Sequence, residues 1–277
     1  MLINGMLFNA DAWYDLKETD IEILEKIDES LLRNILKAHS KTAIESLYLE
    51  LGCKPLRFHL KSKRINFLHY ILNLDKSDLM YRFFKTQMEF PVKGDWYNSV
   101  ISDLKDFKID LPFSEIKQMK KSSFKKLVKG KANEAALNYL NSLKLTHSKL
   151  DNLKYSELQI QPYLINRSIY TPMAQQVFNW RTRMANFRSN FSHGNEDLTC
   201  PMGCLHLDSQ ENILKCEIIQ DNIDIDVSSV NYFNIFSSDI QKMKLTFEVL
   251  QKVMKIRKEI VGDETIGRTT TRTDKVQ

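Results

Sequence analysis

Residues 19–52 read TDIEILEKIDESLLRNILKAHSKTAIESLYLELG, and their spacing decides the fold class. Thr19 with Glu22 three residues on has the form of a capping box: the hydroxyl and the carboxylate each accept a backbone N–H that a helix start leaves unpaired. Ile21, Leu24, Ile27, Leu31 and Ile35 then recur at intervals of three and four, the period that places side chains on one helix face. The pattern predicts an amphipathic helix over residues 20–37 and a loop over residues 38–41. A second helix is predicted from Thr42 and Glu45, with Ile44, Leu47, Tyr48 and Leu51 inward, ending at Gly52.

The same period continues on both sides. Residues 2–14 are apolar and read as an element leaning on something upstream. Pro55 suits the first turn of a third helix to about Leu72, with Leu56, Leu60, Phe67, Leu68 and Ile71 on its apolar side. A helix near 78–89 turns Leu79, Phe83 and Phe84 inward. Asp95 caps another to about Phe107, with Trp96, Val100, Ile101 and Leu104 inward. Met119, Phe124, Leu127, Val128, Ala135, Tyr139 and Leu143 form one long stripe. Residues 144–170 carry no clear period. Thr171 and Pro172 restart a helix through Val177, Phe178 and Trp180. Ser238 or Asp239 caps a last helix with Ile240, Met243, Phe247, Leu250 and Met254 inward, ending at Gly262. With 8 Gly and 6 Pro in 277 residues, turn signals are scarce, and a mostly α-helical chain is expected. Pro91–Gly94 is a candidate boundary. The expected organisation is a helical bundle over residues 1–90, a basic helical connector over 91–190, a knuckle-like turn with the C-terminal helix over 191–262, and a polar disordered tail over 263–277. No apolar run approaches the ~20 residues of a membrane span, and the N-terminus lacks the features of a signal peptide.

Charge is distributed unevenly. Residues 1–53 carry net −5, residues 54–149 net +11 and residues 150–277 net −1. In the basic middle, Lys54, Arg57, Lys61 and Arg64 fall at spacings of three, four and three, with Lys63 beside them and no acid between Lys54 and Arg64. A second run has seven lysines and no acid from Lys117 to Lys131, with Lys121, Lys125 and Lys129 four apart. Each stripe has two readings: a face that tracks a nucleic-acid backbone, or a solvated outer face. Arg181, Arg183 and Arg188 lie near Trp180 and Phe187, a mixture that could clamp phosphate and stack on bases or could be surface cations over a core.

Three of the four cysteines, Cys200, Cys204 and Cys216, fall close together, with Pro201 and Gly203 turning the chain between the first pair. Asp208 with Glu211 reads as the capping box of a helix on which residues 212 and 216 share a face. Two thiols on a turn followed by two ligands at i and i+4 is the plan of a small zinc knuckle. Position 212 is Asn, a poor ligand; His206 is the nearest substitute, with His193 further off. The expected site is zinc on Cys200, Cys204, His206 and Cys216, against a vestigial knuckle or three reduced thiols. Asp221, Asp224 and Asp226 alternate with isoleucines and read as a loop or edge more readily than as a carboxylate site. Cys53 has no nearby partner, and reduced thiols imply a nuclear or cytoplasmic setting. A Gly-rich phosphate loop, a Gly-x-Ser-x-Gly elbow, a His-Glu-x-x-His helix and a Tyr-x-Asp-Asp carboxylate pair are all absent from the sequence.

Several of these stretches carry a resemblance. LINGMLFNADAWYDL (residues 2–16), IEILEKIDESLLRNILKAHSKTAIESLYLELGCKPLRFHLKSKRINFLHYIL (21–72), KGDW (93–96), FNWRTRM (178–184) and CPMGC with DSQENILKC (200–216) are similar to the C-terminal part of reverse-transcriptase-like proteins of non-LTR retrotransposons. The resemblance implies that residues 2 to about 90 follow a polymerase palm and form its helical thumb, gripping a template–primer duplex with the Lys54–Arg64 stripe. It also implies a Cys-Cys-His-Cys knuckle whose histidine falls at Asn212. The palm with its catalytic carboxylates would precede this chain. The expected function is therefore that of a non-catalytic portion binding RNA or DNA, inactive as a polymerase on its own. The rival reading is a helical binding or scaffold protein that keeps only the fold.

Overall fold

A period of 3.6 in nearly every apolar stretch yields helices, and helices are what form. The computed structural model describes residues 7–14, 16–191, 197–224, 227 and 230–262. The expectations for residues 2–6, His193, Asp226 and the tail 263–277 lie outside these. The described residues are mostly α-helical, with isolated β-bridges in place of a sheet. They divide into two compact units.

The first unit holds residues 1–36, 43–148 and 154–161. Its helices are α1 (Glu18–Leu36), α2 (Ile44–Leu51), α3 (Leu56–Leu72), α4 (Leu79–Glu89), α5 (Trp96–Asp106), α6 (Phe113–Gln118) and α7 (Lys121–Lys144). Residue 91 lies inside this unit. Helix α3 is the hub, packing against α1, α4, α5, α6, α7 and the turn at Ala10–Ala12. Phe58, Ile65, Leu68 and Ile71 of α3 meet Val100 and Leu104 of α5 and Phe124, Val128, Ala132 and Ala136 of α7 in one core. The four-residue recurrence along α7 makes a straight apolar seam, and its two alanines let α3 approach closely.

The start signals shift by one or two residues. Helix α1 begins at Glu18, and Asp20 accepts the Lys17 N–H at 3.1 Å, the return bond of a capping box two positions early. Helix α2 follows Ala43, which offers no side-chain cap. Asp78 and Asp95 cap as their chemistry dictates, accepting from Met80 N and Asn98 N. Gly52 ends α2 at φ 62°, and a Cβ there would lie 2.1 Å from the Gln159 carbonyl carbon and the Ile160 nitrogen. Only glycine allows residues 159–160 to cross at that point, where Leu51 bridges Ile160.

The faces of α1 and α4 differ from expectation. Ile27 and Ile35 are 48% and 59% exposed, and α1 buries Glu25, Asp28, Leu32 and Leu36. The acids turn inward because partners wait there: Tyr48 donates to Asp28 at 2.9 Å, and Arg57 engages Glu25. On α4 only Phe84 is buried, while Leu79 and Phe83 are 79% and 62% exposed.

The second unit holds residues 37–42, 149–153 and 162–277. It contains α8 (Pro162–Ile165), α9 (Thr171–Arg181), α10 (Arg188–Phe191), α11 (Glu217–Asn222) and α12 (Ile240–Val261). Asp239 caps α12, accepting from Gln241 N and Lys242 N, and Met243, Phe247, Leu250 and Val253 face inward. Helix α12 packs on the 3-10 turn Tyr232–Phe236 and on α11. Met173, Val177, Phe178 and Trp180 bury the inner face of α9. Among the described residues, no helix is long and apolar enough to cross a membrane.

Candidate metal centre and basic faces

The knuckle is a tight hairpin. Thr199 bridges Leu207, Cys200 N donates to His206 O at 2.9 Å, and Asp208 N donates to Leu198 O at 2.8 Å. Gly203 turns the chain at φ 94°, donating to Cys200 O at 3.0 Å. Cys216 enters from a 3-10 turn at Ile213–Lys215 and leads into α11. The ligand atoms of Cys200, Cys204 and Cys216 all lie within 4.8 Å of one another, with 4.0 Å between the sulfurs of Cys200 and Cys216. A zinc–sulfur bond of about 2.3 Å sets tetrahedral sulfurs roughly 3.8 Å apart. The three cysteines are thus placed to hold a metal ion. All four cysteines are free thiols.

Backbone N–H groups support the sulfurs. Met202 N–H serves Cys200, His206 N–H serves Cys204 and Ile219 N–H serves Cys216. Burial pushes the Cys200 thiol up to about 12 and raises Cys216 too. Burial also acts to raise Cys204, but the His206 N–H and the two neighbouring thiols more than offset it, leaving it below its ordinary value. Cys204 is the thiol that ionises first. The ring of His206 is exposed and lies outside the three-thiol group. Among the described residues no carboxylate joins that group, Asp221 and Asp224 included.

The helix expected from Asp208 to Cys216 does not form, so Asn212 and Cys216 share no helix face. Asn212 precedes the 3-10 turn and donates its amide to Leu207 O at 3.4 Å. Asp208 is buried and paired with Arg257 of α12 through both carboxylate oxygens, and it also accepts the Arg188 N–H at 2.8 Å. A guanidinium fork is a stronger partner for a buried carboxylate than a helix start. The hairpin is therefore pinned to α12, with the Arg257 guanidinium 4.9 Å above the Phe187 ring. A buried amide network adjoins it, in which Asn190 donates to Gln210 at 2.9 Å and Gln210 donates to Trp180 O at 2.7 Å.

Every cation of the first basic stripe has a partner within its own unit, an acid for Arg57, Lys61 and Arg64 and a neutral oxygen for Lys54 and Lys63. Lys54 donates to Asn133 at 3.3 Å; burial, then the nearby Lys129, holds its ammonium below the usual range. Arg57 pairs with Glu25 at 2.6 Å and Glu18 at 2.7 Å and lies 5.3 Å above the Tyr139 ring. Lys61 pairs with Asp106 at 2.5 Å, and Lys63 donates to Leu7 O at 2.7 Å. Arg64 clamps Asp103 at 2.7 and 3.0 Å and also reaches Trp13 O. Burial pushes the Asp103 carboxyl up by more than the Arg64 hydrogen bonds and charge bring it down.

The arginines near Trp180 are spent in the same way. Arg181 is buried, donates to Ile235 O at 2.9 Å and lies 5.2 Å from each of the Tyr163 and Phe236 rings. Arg183 pairs with Glu211, and Arg188 donates to Thr199 O at 3.4 Å. Trp180 and Phe187 are buried core rings 5.4 Å apart, closed to a stacking base.

The second basic face is different. Lys117, Lys120, Lys121, Lys125, Lys126 and Lys129 are exposed, and among the described residues no hydrogen bond or ion pair engages them. Lys131 pairs with Glu134 at 3.1 Å. Gly130 is exposed with open space where a Cβ would be.

No family model matches the chain, and neither the curated proteins nor the solved structures include a significant match.

Proposed function

We propose that this chain binds RNA or DNA along its sugar–phosphate backbone through the lysine face of α6–α7, as a non-polymerising portion of a retroelement reverse-transcriptase-like protein. The observation that carries the binding is the run of exposed lysines from Lys117 on α6 to Lys129 on α7, unpartnered among the described residues. A rise of about 1.5 Å per residue sets Lys121, Lys125 and Lys129 roughly 6 Å apart in a row. Such a row neutralises successive phosphates and releases their counterions, which favours backbone contact over base reading. The link to a retroelement polymerase is supported by the sequence resemblance. Zinc on Cys200, Cys204 and Cys216 completes the reading, stapling the hairpin beside α11. Free thiols suit a nuclear or cytoplasmic location.

A scaffold reading is favoured by one observation. An apolar cleft of about 170 Å³ opens among Tyr14, Phe67, Met80, Phe83 and Trp96.

The test is a salt titration of duplex and RNA–DNA hybrid binding, using the full chain and a variant carrying Lys121→Ala, Lys125→Ala and Lys129→Ala. For B-DNA the slope of log K against log salt should fall by about 0.9 for each phosphate contact removed. An unchanged slope and affinity would sink the proposal. Primer extension on a primed RNA template with magnesium should stay at the buffer control, since the sequence holds no Tyr-x-Asp-Asp pair.

A further inference from the structure

We infer that the Cys200–Cys204–Cys216 centre holds its metal through three thiolates and keeps the fourth coordination position open to a neutral nitrogen donor from outside the chain. The inference rests on the zinc reading above and concerns how that metal is completed. Closed structural sites use four protein ligands, whereas three protein ligands leave a position for an outside molecule. The described residues bring three sulfurs together and no fourth His, Cys, Asp or Glu atom. Asn212, where the resemblance implies histidine, turns its amide to Leu207 O. His206 contributes its backbone to the hairpin on both sides, accepting from Cys200 N and donating to the Cys204 sulfur, while its ring stands in solvent.

The centre is more exposed on its Cys204 side. Cys200 and Cys216 are buried and Cys204 is half-buried. Among the described residues the turn that carries Cys204 is exposed: Leu205 is 97% exposed, and a Cβ at Gly203 would meet no atom within 4 Å. The backbone N–H groups of Met202, His206 and Ile219 act on the three sulfurs, and among the described residues no fourth ligand atom joins them.

Charge selects the donor class. A divalent ion with three thiolates is a net monoanion. Glu217 sits close enough to Cys204 to act on its thiol, adding further negative charge. An anionic fourth ligand would work against both, whereas a neutral imidazole-type nitrogen adds no charge and is a good donor for a borderline metal.

The experiment loads the full chain with cobalt(II) in place of zinc and titrates imidazole. The thiolate-to-cobalt charge-transfer band should persist while the ligand-field bands shift saturably. His206→Ala and His193→Ala variants should respond as the parent does. A parent silent to imidazole, with either histidine variant responsive, would show that this histidine fills the position. Silence in all three would show a closed site. Thiocyanate binding more tightly than imidazole would overturn the charge argument. A chain that takes up no cobalt, and matches its Cys204→Ser variant, defeats the zinc reading itself, so the two failures are distinguishable.

Discussion

The α3 segment presents Lys54, Arg57, Lys61 and Arg64 three or four residues apart, and α7 presents Lys121, Lys125 and Lys129 four apart. By composition the two are near equals. In the fold, all four cations of the α3 segment have an internal partner, and among the described residues the three on α7 have none. The difference lies in how many sides of each helix are covered. Helix α3 has neighbours around most of its circumference, and the facing residues of α1 and α5 include Glu18, Glu25, Asp103 and Asp106. Helix α7 buries a narrow seam and turns the rest to solvent. A basic stripe is available to a polyanion where the fold neither pairs nor buries its cations: acids take Arg57, Lys61 and Arg64, and burial with a neutral amide partner takes Lys54.

The most damaging break in that comparison should be Arg64→Ala. It would leave Asp103, 3% exposed, as an uncompensated buried carboxylate. Removing one member of a buried pair typically costs about 3–5 kcal/mol. The penalty should shrink in acid. Asp103 already has a raised folded value, so the folded state holds its proton more tightly than the unfolded chain does. Removing Arg64 raises that value further. Protonation as pH falls through it relieves the buried charge. Urea midpoints at neutral and acid pH measure this. Nucleic-acid affinity per folded molecule should stay unchanged; a stable variant with weakened binding would mean that the α3 stripe is the contact face.

The core of α7 was legible only in part. The expected stripe shares Phe124 and Val128 with the buried seam, and its Met119, Leu127, Ala135 and Tyr139 pack partly buried beside it. Ala132, Ala136 and Leu140, which complete the seam, were not singled out, two of them being alanines that carry little apolar signal. The orientation of α1 was not legible. It carries isoleucines and leucines on overlapping arcs, and periodicity alone cannot choose between them. Tyr48 and Arg57 settle the choice by drawing Asp28 and Glu25 inward. The three thiols were legible from spacing and one turn glycine. The ends of the knuckle were not, since the partner of Asp208 is Arg257, 49 residues away. Gln210 was overlooked for the same reason: its partners Asn190, Trp180 and Tyr232 meet it only in the folded unit. Long-range polar pairing leaves no local signature, and it decided which cations remained free.

The α7 lysine variant should show the opposite profile to Arg64→Ala. Exposed and unpartnered side chains can be truncated with changes near 0.5 kcal/mol or less per site, so the thermal midpoint should barely move while salt-sensitive binding falls. A large loss of stability would mean that these lysines are structural. Gly130→Ala sharpens the point at lower cost. An exposed helical glycine with room for a Cβ should gain about 0.8–1 kcal/mol on becoming alanine. The thermal midpoint should rise; weakened binding in the same variant would identify Gly130 as a place where the ligand approaches the helix backbone.

The smallest expected effect comes from Lys61→Ala, which tests the boundary between the two classes of cation. Lys61 pairs with Asp106, but the partners are 26% and 46% exposed, so solvent screens the attraction. An ion pair in that setting contributes about 0.2–1 kcal/mol, set against the entropy of holding a long side chain in place. Truncation should therefore lower the urea midpoint only slightly, and the loss should diminish as salt rises, because screening already weakens the parent pair. Affinity for nucleic acid is the sharper readout. If pairing with an internal acid withdraws a lysine from the ligand, the affinity and salt slope of Lys61→Ala match the parent. If the slope falls as it does for an α7 lysine, a screened pair still yields its cation to phosphate. The distinction between the stripes would then depend on burial of the pair, which separates Arg64 from Lys61, and not on pairing alone.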